Sequence, residues 1–207
     1  MTSLSDLSLT DVLDRVAAPE PTPGGGSVSA IAAAFGVALA QMVAGLSRTR
    51  HDSDEERAVL ATLHAPLGDL RERLLALADE DAAAFDRLMA AFRLPKGSDE
   101  EKAARRAAVQ AAMRDATTVP LQTAVVCARA LDLIVTIAAL GNPSASSDLQ
   151  VAMGVLRAGA EGAAANVRTN LESLADETFR SDASTRIANV LDEVMTHTRA
   201  ATASLQG

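Results

Sequence analysis

The sequence predicts an all-α protein, a single domain over residues 1–207 in which a helical bundle surrounds a central apolar helix. Hydrophobic residues fill 48% of the 207 positions but aromatic residues only 2%, with no Trp or Tyr, so the core must be Ala, Leu, Val, Ile and Met. Such a core suits closely packed helices better than sheets, which favour aromatic and β-branched side chains. Apolar positions recur every three or four residues along nearly the whole chain, and no alternating run bounded by turns reads as a strand. A chain of this length can bury a sizeable core.

The spacing predicts helices over roughly 5–17, 27–48, 54–93, 99–117, 119–140, 147–160, 162–178 and 182–204. Pro19, Pro21 and Pro23 end the first, Pro95 and Gly97 break the chain in RLPKGSDEE, Pro120 opens a new first turn, and GNPSASSD forms another loop. Pro66 and Gly68 are expected to kink or split the long third segment. The second segment is the central helix: AIAAAFGVALAQMVAGL carries no charge until Arg48, with small residues at Ala32, Gly36, Ala40 and Ala44 and larger ones at Ile31, Phe35, Leu39, Met42 and Leu46. A helix apolar on all sides is buried in a bundle or lies in lipid. Weakly inserting Ala and Gly, the mid-run Gln41 and the amphipathic neighbours favour the buried helix over a membrane span.

A formal charge of −8 argues against a nucleic-acid or anionic-membrane surface, so an anionic ligand must be held locally. The lone Cys127 lies in the apolar stretch VPLQTAVVCARALDL and reads as a buried, inert thiol. The N-terminal MTSLSDLSLTDVLDR lacks a basic start and a continuous apolar run, which points to a cytoplasmic protein. His51, His64 and His197 have no metal-ligand spacing, so no metal is expected, and no serine-nucleophile elbow is present.

Several residues stand out against this background. In PTPGGGS, Ser27 is placed to cap the central helix, and Gly24, Gly25 and Gly26 leave its first N–H groups open to a polar ligand, although such a turn also serves as a tight connector. Asp81 falls in the arc of Leu74, Leu77, Phe85, Leu88 and Phe92, whereas Glu80, Asp86 and Arg87 point elsewhere. A carboxylate facing the core is either a structural ion-pair partner or an acid–base group with a shifted pKa. Lys96, one of only two lysines, sits in the LPKG loop, where it either reaches back across the helix end or faces solvent. Ser146 or Ser147 is expected to cap a helix whose first turn carries Asp148, on the side of Ala152 and Val155. Asn166 and Asn170, one turn apart, present amides that need backbone or ligand partners.

Together, PTPGGGSVSAIAAAFGVALAQMVAGL, DEDAAAFDRLMAAFRLPK, ATTVPLQTA, NPSASSDLQVA and GAAANVRTNL, in this order, resemble the cyclodeaminase/cyclohydrolase family found at the C-terminal end of formiminotransferase-cyclodeaminase and as stand-alone bacterial proteins. The resemblance covers about residue 5 to residue 200. It implies an all-helical homodimer handling one-carbon tetrahydrofolates with no metal and no prosthetic group. The implied reaction is closure of 5-formiminotetrahydrofolate to 5,10-methenyltetrahydrofolate with loss of ammonia. The alternatives are a cyclohydrolase interconverting methenyl and 10-formyl tetrahydrofolate, and a non-catalytic helical folate-binding protein. On this resemblance Asp81, Lys96 and Asp148 are the catalytic candidates, and Gly24, Gly25, Gly26, Ser27, Asn142, Asn166 and Asn170 line the substrate site.

Overall fold

The computed structural model describes residues 3–206. Six helices carry the fold: α1 (Leu9–Ala17), α2 (Gly25–Ala44), α3 (Asp54–Phe92), α4 (Asp99–Leu140), α5 (Ser146–Leu171) and α6 (Glu177–Gln206), with short 3₁₀ turns at Leu4–Asp6 and Pro143–Ala145. Among the described residues the only extended pairing is an isolated bridge between Thr49 and Gly141. The all-α expectation holds.

α2 lies between α3 and α5, and α4 packs behind them against α3, α5 and α6. One buried cluster runs through the bundle, from Val37 and Val43 of α2 through Leu67, Leu74 and Leu77 to Ile134, Ile137, Leu156 and Val167. α2 and α4 are both long and apolar enough to cross a membrane, but most of each apolar window is buried against neighbouring helices. Polar caps set the remaining ends: Ser8 accepts from the Asp11 N–H, Ser53 from Glu56, and Ser98 forms a reciprocal capping box with Glu101.

The eight expected segments are six because two anticipated breaks, at Pro120 and at residue 161, do not occur, and Pro66 does not split the third segment either. α4 runs through Pro120, whose missing N–H leaves the Ala116 carbonyl without its helical partner, and Asn170 Nδ2 donates to that carbonyl at 2.8 Å. α3 continues through Pro66, where the carbonyl left without its helical donor belongs to the exposed Thr62. α5 is unbroken through Gly159 and Gly162, because these glycines serve packing rather than turning. A Cβ at Gly159 would lie 2.8 Å from the Ser29 carbonyl oxygen, and one at Gly162 would lie 2.4 Å from Ser29 Oγ.

Three local expectations also need correction. Ser27 does not cap α2: Gly25 and Gly26 are already helical, Gly24 is the cap residue without a side chain, and Ser27 sits inside the first turn. Neither Ser146 nor Ser147 caps α5, whose cap position is Ala145; Asp148 does lie in its first turn. Finally, α2 is not buried on every side, since Val28, Phe35 and Met42 remain exposed along one stripe.

Candidate active site

The site forms where α2 begins. The chain arrives at Gly24 in extended conformation and turns directly into helix at Gly25. With no side chain to cap this terminus, the first-turn N–H groups need an acceptor from elsewhere. α3 brings one near: the Asp81 carboxylate lies over this first turn, its Oδ2 3.1 Å from Ser27 Oγ, and the Ser27 backbone N–H favours its anion. The Ser27 hydroxyl also reaches the Ala78 carbonyl at 2.8 Å, so its single proton is shared between two acceptors.

Gly26 makes this approach possible. A Cβ there would lie 2.2 Å from Asp81 Oδ1, in space the carboxylate occupies, so an unbranched backbone is the condition for the contact. Burial of Asp81 pushes its carboxyl above the usual range, and the two bonds from Ser27, which favour the anion, do not offset this. The group is held against a helix N-terminus yet keeps its proton longer than an exposed aspartate does. That combination suits an acid that gives up a proton and is then stabilised as the anion.

Asn166 stands on the facing turn of α5. Its Nδ2 donates to the Gly162 carbonyl at 2.9 Å and lies 3.6 Å from where a Gly25 Cβ would be. Ser29 Oγ donates to the Gly25 carbonyl at 2.7 Å and ties the next turn down. Asp81, Gly25, Gly26, Ser27 and Asn166 are thus brought to one end of the bundle. Asn170 is one turn further along α5, engaged on the Ala116 carbonyl.

The other candidates lie apart within one protomer. Lys96 is in the exposed connection after α3. The eleven residues from Asp81 to Phe92 alone span about 16 Å of helix axis. Asn142 caps the 3₁₀ turn, accepting from the Ser144 N–H at 2.9 Å, and Asp148 follows in the first turn of α5. Since α5 runs antiparallel to α2, both sit at the opposite end of the bundle from Asp81, with Asp148 about 27 Å along α5 from Asn166.

Residues 8–189 match the family model described as formiminotransferase-cyclodeaminase. The chain belongs to this family. A formimidoyltransferase-cyclodeaminase of Rattus norvegicus is 37% identical over 204 residues, covering 99% of this chain and 38% of the rat protein. The chain therefore spans less than two fifths of that relative. A methenyltetrahydrofolate cyclohydrolase of Methylorubrum extorquens is 39% identical over 181 residues and is covered to the same 87% as this chain. The crystal structure of a formiminotetrahydrofolate cyclodeaminase from Thermotoga maritima superposes with a TM-score of 0.87 at 28% identity, covering 98% of each chain. The family resemblance drawn from the motifs is borne out.

Two features at this end escaped the sequence reading. A recess of about 440 Å³ is lined by Arg15, Thr22, Pro23, Asp79, Ala82 and Ala83, which brings a cation from α1 next to the segment that leads into the glycine loop. Arg15 had no signal beyond its place in an amphipathic helix. On the neighbouring turn Arg73 pairs with Glu80 and reaches Gln122 of α4, so the half-buried Glu80 is held away from Asp81 by its own arginine. No group of three or more His, Cys, Asp or Glu side chains placed to hold a metal occurs among the described residues.

Proposed function

We propose that the chain, acting as one domain over residues 1–207, is a formimidoyltetrahydrofolate cyclodeaminase that uses Asp81 for metal-free acid–base catalysis. The observation that carries this reading is the Asp81 carboxyl, raised in pKa by burial and seated against Gly26 and Ser27 at the mouth of α2. In the proposed cycle protonated Asp81 gives its proton to the formimino nitrogen as the second folate nitrogen, N10, attacks the formimino carbon. A C–N bond forms, and the carbon becomes tetrahedral between the two ring nitrogens. The carboxylate then takes the N10 proton and passes it to the amino group, which leaves as ammonia. Balance requires one proton from solvent, because a neutral substrate yields the methenyl cation plus ammonia. The Asp81 anion faces that cation at the end of the cycle, stabilised by the Ser27 N–H.

Gly24, Gly25, Gly26 and Asn166 shape the pocket for the substrate ring, and Lys96, too far along the chain to reach the reacting carbon, orients the substrate's anionic end. The protein works as a homodimer in the cytoplasm. A cyclohydrolase is the second reading, favoured by one observation: the Methylorubrum extorquens relative that bears this name is 39% identical over 181 residues. Both reactions share the tetrahedral carbon and the same proton shuttle.

The test follows methenyl absorbance with purified protein. Appearance of methenyl from 5-formiminotetrahydrofolate with ammonia release is expected, falling by about 10²–10⁴-fold in Asp81→Asn and less in Lys96→Met. Hydrolysis of 5,10-methenyltetrahydrofolate without formimino turnover moves the assignment to cyclohydrolase. Binding of both with turnover of neither refutes catalysis.

A further inference from the structure

α2 begins at the level of Asp81, but the helices on either side of it run on. α3 continues from Asp81 to Phe92, and α5 continues from Asn166, beside Gly25, to Leu171. α4 packs against both, and its Ala116 carbonyl accepts from Asn170 of α5. The first turn of α2 therefore forms a step with α3 and α5 rising past it. Asp81, Phe85, Asn166 and Asn170 are all half-buried, so they border this step without closing it. At about 100° per residue Phe85 falls in direction between Ala78 and Asp81, the two residues that Ser27 Oγ contacts, and so stands over the start of α2. It follows Asp81 by one turn, about 6 Å further along α3, and a long helical side chain leans back over the turn before its own Cα.

Aromatic rings are scarce in this chain: four Phe, with no Trp or Tyr. Phe179 packs on the core beneath Arg114, Phe92 carries Arg105, and Phe35 lies about 12 Å up α2 from Ser27. Among the described residues no cation stacks on Phe85. The neighbouring positions that fill the core, Leu77, Ala84 and Leu88, are aliphatic and buried. A flat, half-open ring one turn above a buried acid is a surface for another flat ring.

We propose that Phe85 holds the substrate by the aryl ring bonded to N10, stacking on that ring and so setting N10 beside the carbon that Asp81 activates. The proposal rests on the folate reading above. In the substrate, N10 is joined to the reduced ring through one methylene group and carries the aryl ring directly. With the one-carbon group at Asp81, the aryl ring stands about one ring's length away, which matches the turn of about 6 Å from Asp81 to Phe85. Rotation about the methylene group moves N10 in and out of line with the carbon, and a stacked aryl ring fixes that rotation before attack. Beyond the aryl ring the carboxylates of the substrate continue along α3 past Phe92, in the direction of Lys96. The contact serves either folate reaction, since both place a one-carbon unit between the same two nitrogens.

The test is calorimetric titration with two ligands that share the reduced ring and differ in the aryl group: 5-formyltetrahydrofolate, and 5-formyl-6-methyltetrahydropterin, which ends at the methyl group. Phe85→Ala should weaken the first by about tenfold, the order expected for losing one stacked ring, and the second by less than about twofold. Phe85→Tyr should bind the first as the unmodified protein does. With 5-formiminotetrahydrofolate, kcat/KM should fall in Phe85→Ala by at least about the same tenfold and return in Phe85→Tyr, because lost stacking also frees N10. Phe85→Leu keeps the apolar bulk without the flat face and repeats the comparison if Phe85→Ala loses helicity. Equal weakening of both ligands makes Phe85 a support of the fold, and unchanged affinity for the first places the aryl ring elsewhere. Either result overturns the proposal, while binding of 5-formyltetrahydrofolate by the unmodified protein keeps the folate reading. If the unmodified protein binds neither ligand, the folate reading falls and the proposal with it.

Discussion

The family resemblance assigns Asn170 to the substrate site, yet its amide has a structural task that can be weighed. Pro120 has no N–H, so the Ala116 carbonyl four residues earlier loses its helical donor, and Asn170 Nδ2 takes that place at 2.8 Å. Removing one partner of a buried hydrogen bond costs about 1–3 kcal/mol. Ala116 and Asn170 are both half-buried, so water recovers part of this, and Asn170→Ala should cost about 1 kcal/mol. For a protein of this size that lowers Tm by about 2–4 °C. The decisive background is Pro120→Ala, which returns an N–H to residue 120 and lets it bond Ala116 directly. There, Asn170→Ala should cost close to nothing, giving a coupling of about 1 kcal/mol in the double-mutant cycle. Urea and thermal unfolding followed by far-UV circular dichroism measure all four corners, and kcat/KM well below Tm should be unchanged in each. Equal cost of Asn170→Ala in both backgrounds refutes the argument. Loss of kcat/KM without loss of stability returns Asn170 to the substrate site.

Three further predictions follow from the same geometry. Gly26→Ala places a methyl group 2.2 Å from Asp81 Oδ1, so the carboxylate must move by an ångström or so, and kcat should fall by about 10²-fold with helicity unchanged; a wild-type rate refutes the seating of Asp81. Glu56 is held from its ordinary 4.5 down to about 2, mainly by the Thr49 hydroxyl and further by His51, against the opposing effect of burial. Since its folded pKa is depressed, its stabilisation is present above about pH 4.5 and lost as pH falls toward 2; acid titrations of unfolding should show a weaker dependence in this window for Glu56→Gln, and identical curves would exclude its part in acid unfolding. Cys127 is fully buried and its thiol is pushed up to about 12, so a thiol reagent at pH 8 should label it only at the rate of unfolding; prompt labelling of native protein contradicts its burial.

The helices were legible in the sequence because their apolar faces are local, and so was the inward turn of Asp81. Leu74, Leu77 and Leu88 are buried beside it, while Asp86 and Arg87 on the other arc are exposed. The missed continuities have a common cause. Pro120 reads as a break because isolated-helix propensity penalises it, and the expected segments part at residue 161, between Gly159 and Gly162; in the bundle each of the three is matched by a residue remote in sequence. Asn170 offsets the first, and the approach of Ser29 and Ala33 requires the other two. Ser27 shows the same limit at a terminus. A serine before an apolar run is the usual cap, but here two glycines enter the helix ahead of it and the acceptor comes from α3.

The candidate site was legible residue by residue but not as an assembly, and the reason is geometric. Periodicity tells which way a side chain faces on its own helix; it carries no information on which end of a neighbour it meets. Asp81 and Asn166 share an end of the bundle only because α3 and α5 both run antiparallel to α2, and the same antiparallel packing carries Asp148 to the far end. A single protomer of this topology cannot unite the two carboxylates without breaking the contacts of Gly36, Gly159 and Gly162 that set its register.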